Sequence, residues 1–344
     1  MKRNLNIEFV RIFSMFLIIL GHVLGGFIPL TTEGSTLFRT IVPQFTFFVP
    51  FHVNLFVLIS GFCGIKRLKN AFKLVVLLLS YLVLIALCAY FFGWGGFDYR
   101  SLIQPVSHNP WWFMRVYFLL ALISPLLLEP LLKSFSEKES LMVVLAFLFV
   151  DVYLGYYCRM ETVHYDGYNL IHFITIYLTG AHLRFFNLKK LTYRGLRVSS
   201  PLYIGIAFMV VMCFKLVANL ILTHLHVKDY FMDYNNPFNI LLAVVAFLFF
   251  LNLELKNKKI LFVSSSVVGV YLLSEHPVIK QKLFSMFNNL IGFAGGNFLL
   301  ELLLMFSFIF LLFFVSLLID KIRMTIVSMV GAGLSKIPKM SIRN

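Results

Sequence analysis

Three ionisable residues lie within the first long apolar run of the chain, at spacings that can place them together on a helix. Arg11 and His22 are eleven residues apart, which puts them on the same side of an α-helix, about 16 Å from each other along its axis. Glu8 precedes Arg11 by three residues, a spacing at which a carboxylate and a guanidinium can pair. An ionisable side chain inside a membrane span costs about 2.5–3.5 kcal/mol on insertion scales, so these residues indicate a function.

The imidazole of His22 is suited to proton transfer, because the unperturbed pKa of histidine, about 6.5, lies near physiological pH. His22 could act as a general base toward a hydroxyl group, or it could carry an acyl group itself as a nucleophile. Both mechanisms stay open at this point. A snorkelling Arg11 and a His22 bonded to a neighbouring helix are the structural alternatives, but two such residues on one face favour a polar track.

A second candidate site lies at the end of the next apolar run, in the segment VNLFVLISGFCGIKR at residues 53–67. Ser60 stands near the end of this run, and Lys66 and Arg67 follow it. Arginine presents a planar fork that matches phosphate oxygens, so this end of the helix is predicted to bind the phosphates of an anionic cofactor. A plain helix end with basic residues that set membrane topology is the alternative.

Two further segments carry candidate residues for binding an acceptor. Trp112 and Tyr117 stand at the start of a later apolar run. An interfacial aromatic belt is the alternative explanation for Trp112. Glu275 and His276 precede Pro277 in a predicted helix, and proline in a span often marks a cavity.

The composition indicates a membrane protein. The 344 residues are 60% hydrophobic and 13% charged, whereas ordinary soluble domains carry about 25% charged residues. The net charge is +15, but the basic residues cluster in short loops between apolar runs, which favours topology signals over a nucleic-acid surface. Nucleic acid is therefore not an expected partner. The cysteines are far apart and show no metal-binding spacing with histidines, so no metal is expected either.

Continuous apolar runs predict an all-α integral membrane protein, a bundle of about ten transmembrane helices. The runs cover residues 7–30, 45–63, 71–92, 112–132, 141–157, 169–186, 202–222, 238–254, 261–280 and 298–319. With the N-terminus inside, most of the 30 Lys and Arg residues fall on the inner side, which predicts that both termini are cytoplasmic. Residues 1–344 are expected to form a single transmembrane domain with a basic cytoplasmic tail, residues 320–344.

The order and spacing of these segments resemble the acyltransferase 3 family of membrane-bound acyltransferases over residues 5 to about 319. NIEFVRIFSMFLIILGH is similar to the opening motif of that family, with Glu8 where Asp is usual. LFVLISGFCGIKR is similar to its Ser-Gly-Phe run and basic pair. WWFMRVYFLLALISPLL is similar to its Trp-x(4)-Tyr and Pro-Leu-Leu segment, and YLLSEHP to its late Tyr-Leu-x-x-His-x-Pro motif, from which Glu275 departs.

The resemblance implies a multi-pass protein of the cell membrane that moves an acyl group, most often acetyl, from cytoplasmic acyl-CoA (acetyl-CoA) to a carbohydrate hydroxyl. It implies that Arg11 and His22 are the essential pair, and we expect Glu8 to hold Arg11. Lys66, Arg67 and Ser60 are expected to bind the donor, and the acceptor is expected to meet Trp112, Tyr117, Glu275 and His276. Partners would be membrane lipid and a cell-surface glycan or lipid-linked saccharide, as in exopolysaccharide, lipopolysaccharide or peptidoglycan O-acetylation; a homodimer is one option for the assembly.

A transporter or flippase of polysaccharide intermediates is the main alternative, since it would also be multi-helical and lined with polar residues. Against it, the polar residues concentrate in the first helix and at helix ends, without paired broken helices in two repeated halves. A structural membrane scaffold is the third possibility, but it gives no reason for Arg11 and His22 to lie on one face of a membrane helix.

Overall fold

The computed structural model describes residues 4–163, 166–185, 192–193, 196–197, 200–225 and 231–335. Helices make up almost all of the regular structure in these ranges, which confirms the predicted all-helical class. Two short strands, β1 (Thr192–Tyr193) and β2 (Leu196–Arg197), pair as an antiparallel hairpin.

Sixteen α-helices are present in the described ranges, some of them joined by π- or 3-10-helical turns. They are α1 (Leu5–His22), α2 (Ile28–Leu30), α3 (Thr36–Ile41), α4 (Phe51–Cys63), α5 (Lys69–Phe91), α6 (Arg100–Ile103), α7 (Trp112–Ile123), α8 (Glu129–Ser134), α9 (Glu137–Leu148), α10 (Leu170–His182), α11 (Pro201–His224), α12 (Pro237–Leu251), α13 (Lys259–Ser264), α14 (Val267–Ser274), α15 (Pro277–Gly292) and α16 (Phe298–Ser335). The π-helical segments are Val23–Phe27, Ser124–Leu128 and Phe149–Tyr157, and Val42–Phe48 is a 3-10 helix.

Within the described residues, seven continuous helical segments are long and apolar enough to cross a membrane. They are Leu5–Leu30, Thr36–Cys63, Lys69–Phe91, Trp112–Ser134, Glu137–Tyr157, Pro201–Leu222 and Phe298–Met329. The pair α13–α14 and α15 makes an eighth if it is counted as one broken span. Two shorter apolar helices, α10 and α12, occupy the remaining predicted runs. The total of about ten spans and the cytoplasmic termini stay predictions.

The predicted ninth helix is not continuous. The chain bends by 85° between Ser274 and Pro277, and Glu275 and His276 occupy the bend. Pro277 is the first residue of α15, a position that suits proline because its missing N–H would have no helical partner there. Proline inside a continuous helix would clash with the preceding turn, so the chain ends one helix and starts another.

The last helix extends beyond the predicted start of the basic tail. α16 continues to Ser335, and Asp320 is buried within it. Asp320 accepts a hydrogen bond from Tyr81 Oη at 2.5 Å and is paired with Arg323 at 2.8 Å. Residues 336–344 of the predicted tail lie outside the described residues.

The first helix lies at the centre of the bundle, where it contacts α4, α12, α13, α14 and α16. α4 packs closely on α10, because glycines stand where the two backbones cross. A Cβ atom on Gly61 would overlap the Tyr177 carbonyl group, and one on Gly180 would overlap that of Leu58. Small residues of this kind let membrane helices approach closely, and they fix α4 against its neighbours.

Candidate active site

A cavity of about 280 Å³ lies between α1, α4, α5, α7 and the α13–α14 pair. The predicted site residues that line it are Arg11, His22, Ser60, Trp112 and Tyr117. The two residues singled out on the first helix therefore face one protein-lined space, and each keeps 32% of its side chain exposed. A larger groove of about 950 Å³ between α11 and α12 is almost wholly apolar, so we assign the chemistry to the smaller cavity.

The cavity has two chemically different ends. A Cβ atom on Gly21 would lie 3.5 Å from His52 Nε2, so the start of α4 lies beside the end of α1. The two helices therefore run in opposite directions, and Ser60 lies toward the Arg11 end while His52 lies at the His22 end. Ser60 Oγ donates to the Phe56 carbonyl at 3.0 Å, so it accepts from Tyr117 Oη at 2.9 Å.

Glu8 and Arg11 form the pair that their spacing predicts. Arg11 Nη1 lies 3.4 Å from Glu8 Oε1 and 3.5 Å from Oε2. Glu8 is buried, with 4% of its surface exposed, whereas the guanidinium reaches the cavity. The buried carboxylate therefore restrains the guanidinium at this end.

Glu275 lies against His22 and is absent from the cavity lining. His22 Nδ1 is 2.7 Å from Glu275 Oε1, and Glu275 Oε2 is 2.7 Å from Lys280 Nζ. The first contact is an ion pair when the imidazole is protonated. A carboxylate beside one ring nitrogen orients an imidazole and stabilises its protonated form. The geometry thus gives Glu275 a place behind His22, not in contact with a substrate.

His276 is packed away from the cavity. Its ring stacks on Phe97 at 5.6 Å between centroids and meets Trp111 edge-on at 5.5 Å. Its Nδ1 accepts from the backbone N–H of Val278 at 3.3 Å, which caps the start of α15. These contacts support a structural role for His276 at the bend, in place of the predicted contact with an acceptor.

Lys66 and Arg67 are exposed beyond the end of α4 and do not line the cavity. They follow Gly64, whose φ of 76° is a conformation that glycine adopts without strain. A Cβ atom at Gly64 would lie about 3 Å from the Glu129 carboxylate and the Arg184 guanidinium. The basic pair is therefore presented from a turn that requires glycine.

The end of α4 is held by a cluster that sequence reasoning missed: Glu129, Tyr177 and Arg184. Arg184 lies 2.7 Å from Glu129 and donates to the carbonyl oxygens of Gly61 and, at 3.0 Å, Phe62. Tyr177 Oη donates to Glu129 at 2.7 Å and accepts from the N–H of Ile65 at 2.9 Å. In the sequence, Arg184 was one of many basic residues that could set topology.

Aromatic residues from three elements form a wall near the His22 end. The rings of Trp112 and Tyr234 are stacked, with centroids 5.5 Å apart and an angle of 25° between them. Tyr168 packs on Trp112 at 4.3 Å, and His52 lies 6.0 Å from Tyr234. Tyr234 comes from the loop before α12, so no helical periodicity could place it here.

Comparison with known proteins identifies the family of the chain. The family model Acyl_transf_3, described as an acyltransferase domain, matches residues 4–321, which include every helix that lines the cavity. No curated protein and no solved structure is significantly similar to the chain. Because the match covers nearly the whole chain and the structure contains several helices able to cross a membrane, the chain belongs to the Acyl_transf_3 family and is a multi-pass membrane acyltransferase.

Proposed function

We propose that the chain transfers an acyl group, preferentially acetyl, from acyl-CoA to a hydroxyl group of a cell-surface or lipid-linked saccharide. One observation carries the proposal: Arg11 and His22 line the same cavity, about 16 Å apart along α1. A cationic group and an imidazole at this separation suit a donor that carries its phosphates at one end of a long arm and its thioester at the other.

The Arg11 end is the proposed donor entrance. Lys66 and Arg67 follow the end of α4 on the same side of the bundle, and both are exposed. They would hold the phosphates of acyl-CoA at the membrane surface, Arg67 through its planar fork of donors and Lys66 through its point charge. The narrow arm would pass Arg11 and bring the thioester to His22.

The reaction would take place at the imidazole. His22 removes the proton from an acceptor hydroxyl, whose oxygen attacks the thioester carbonyl carbon. The tetrahedral intermediate then breaks its C–S bond, and the leaving thiolate takes the proton from the imidazolium. Glu275 beside Nδ1 would orient the ring and offset the positive charge while it exists. The same geometry supports an acyl-histidine route, in which the ring nitrogen attacks first.

The aromatic wall is the proposed acceptor site. Trp112 and Tyr234 present stacked ring faces at the His22 end, and Trp112, Tyr117 and Tyr234 all line the cavity. Aromatic rings combine a large apolar face with polar tips, which suits the mixed C–H and hydroxyl surface of a sugar. A saccharide stacked there would bring a hydroxyl toward His22.

The test uses the full chain in proteoliposomes with radiolabelled acetyl-CoA and a panel of lipid-linked and polymeric saccharides. The proposal predicts label bound to saccharide through an ester that mild alkali releases. A flippase would move saccharide across the bilayer without transferring label. That result, with every saccharide of the panel unlabelled, would overturn the proposed activity.

A further inference from the structure

A chain of three buried polar side chains runs from the π-helical segment after α9 to the wall of the cavity. Asp151 Oδ2 lies 2.7 Å from His172 Nδ1, and His172 Nε2 lies 2.8 Å from Asn54 Oδ1. Asn54 Nδ2 donates to the carbonyl oxygen of Tyr234 at 2.9 Å. All three side chains are 0% exposed, so solvent cannot replace any of these contacts.

The contact between Asn54 and the Tyr234 carbonyl fixes the direction of the neighbouring hydrogen bond to His172. The Tyr234 carbonyl can only accept, so the amide nitrogen of Asn54 faces it and the amide oxygen faces His172. Nε2 of His172 therefore donates. Nδ1 of His172 is hydrogen-bonded to Asp151 Oδ2. Because both ring nitrogens are occupied and the ring does not line the cavity, His172 has no nitrogen available for substrate.

This arrangement is costly for a purely structural element. Burying a carboxylate and an imidazole requires complete pairing, yet Asp151 Oδ1 has no hydrogen-bond partner among the described residues. Asp151 also stands in the π-helical segment Phe149–Tyr157, a local widening of the helix that often accompanies functional sites. Three apolar side chains would be easier to bury at these positions. We therefore look for the function of Asp151, His172 and Asn54 in the group that they bind.

The three side chains are hydrogen-bonded, through Asn54, to the backbone of Tyr234. The Tyr234 carbonyl accepts from Asn54, and the Tyr234 N–H donates to the Asp166 carbonyl at 2.9 Å. Both backbone groups of this loop residue are thus tied, and its ring is stacked on Trp112. The positions of the two rings that we assign to the acceptor site depend on this anchoring.

We propose that Asp151, His172 and Asn54 are positioning residues that fix Tyr234, and through it Trp112, for binding of the saccharide acceptor. The inference rests on the proposed function, because it needs an acceptor at the His22 end. The contacts of Asp151, His172 and Asn54 reach the cavity wall at the His22 end, whereas the proposed donor entrance is at the end that holds Arg11 and Ser60. Breaking these hydrogen bonds should therefore weaken binding of the acceptor and leave binding of the donor unchanged.

The test is Asn54→Leu, which keeps the side-chain branching at Cγ and removes the amide that links His172 to Tyr234. The matched control is Ser140→Ala, which removes a buried hydrogen bond of 3.1 Å to His182, a residue of α10 like His172, outside the cavity lining. Asn54→Leu is expected to raise the acceptor KM about tenfold or more, because it removes two buried hydrogen bonds, one to His172 and one to Tyr234. The donor KM should change less than twofold, and Ser140→Ala should change neither constant.

Equal rises of both KM values, or unchanged KM values in an active Asn54→Leu protein, would overturn the inference. If Asn54→Leu does not fold, Asp151→Asn is measured by the same criterion, since it keeps the side-chain shape and removes only the charge. Failure of the proposed function is distinguishable, because the wild-type chain would then transfer no label at all.

Discussion

His22 and Glu275, which come from opposite ends of the chain, meet with Nδ1 and Oε1 2.7 Å apart. The contact gives the imidazole a fixed orientation at one end of a cavity whose other end holds Arg11. Glu275 directly follows α14 and comes just before the bend at Pro277.

Removing the charge beside the imidazole should slow the acyl transfer step. We expect Glu275→Gln to lower kcat about 10- to 100-fold with little change in either KM, because the carboxylate stabilises an imidazolium that forms only during reaction. Steady-state kinetics with labelled acetyl-CoA measure this. Lys280→Ala, which removes the outer partner of Glu275, is the milder control, and a fully active Glu275→Gln protein would contradict the role.

The basic pair beyond α4 should act on donor binding. We expect the double variant Lys66→Ala, Arg67→Ala to raise the donor KM about tenfold and to leave the acceptor KM unchanged, since both side chains are exposed at the proposed donor entrance. The remaining donor affinity should depend less on salt. Lys133→Ala with Lys138→Ala removes the same charge from another exposed site and should behave as wild type. An unchanged donor KM would remove Lys66 and Arg67 from the site.

The turn that presents this basic pair should not tolerate a side chain. Gly64→Ala would place a Cβ about 3 Å from Glu129 and Arg184 at a φ of 76°, which costs about 1–3 kcal/mol. We expect a lower thermal midpoint and a higher donor KM. Gly95→Ala is the control, because no atom lies within 4 Å of the added Cβ. Equal thermal midpoints of the two variants would contradict the close contact of Gly64 with Glu129 and Arg184.

The loop that carries Tyr234 should respond to pH. Burial, with the Asp166 carboxylate adding to it, raises the pKa of Asp233 from 3.8 to about 6 against the opposing effect of Arg159. The folded state therefore holds this proton more tightly than the unfolded chain does. The stabilisation is complete below pH 3.8 and is lost as the pH rises through about 6.

Melting temperatures between pH 4 and pH 7 test this dependence, at about half-unit intervals that resolve a single titration. Asp233→Asn cannot ionise, so its melting temperature should fall less than that of the wild type across the interval. Parallel curves for the two proteins would show that another group sets the dependence.

Sequence reasoning found the parts of the site that lie within single helices. Helical periodicity places Arg11 and His22 on one face and pairs Glu8 with Arg11, and the structure shows both features. Ser60, Trp112 and Tyr117 line the same cavity, because each stands in a helix, α4 or α7, that forms part of its wall.

The contacts between distant segments could not be read from the sequence in the same way. Glu275 was expected to face an acceptor, but the packing of α14 against α1 places it beside His22. Tyr234 lies in a loop without periodicity, and the buried Asp151–His172 pair joins two helices whose register no local pattern fixes. These relationships depend on tertiary packing, which hydrophobic patterns specify only in outline.

The central claim is that the His22 imidazole performs the transfer on a donor held by the Arg11 end. The most direct measurement compares wild type and His22→Gln in proteoliposomes, with acetyl-CoA binding and label transfer to saccharide measured on the same preparation. We predict that the transfer rate falls about 10²- to 10⁴-fold while acetyl-CoA binding is retained. A variant that transfers label at the wild-type rate would contradict the account.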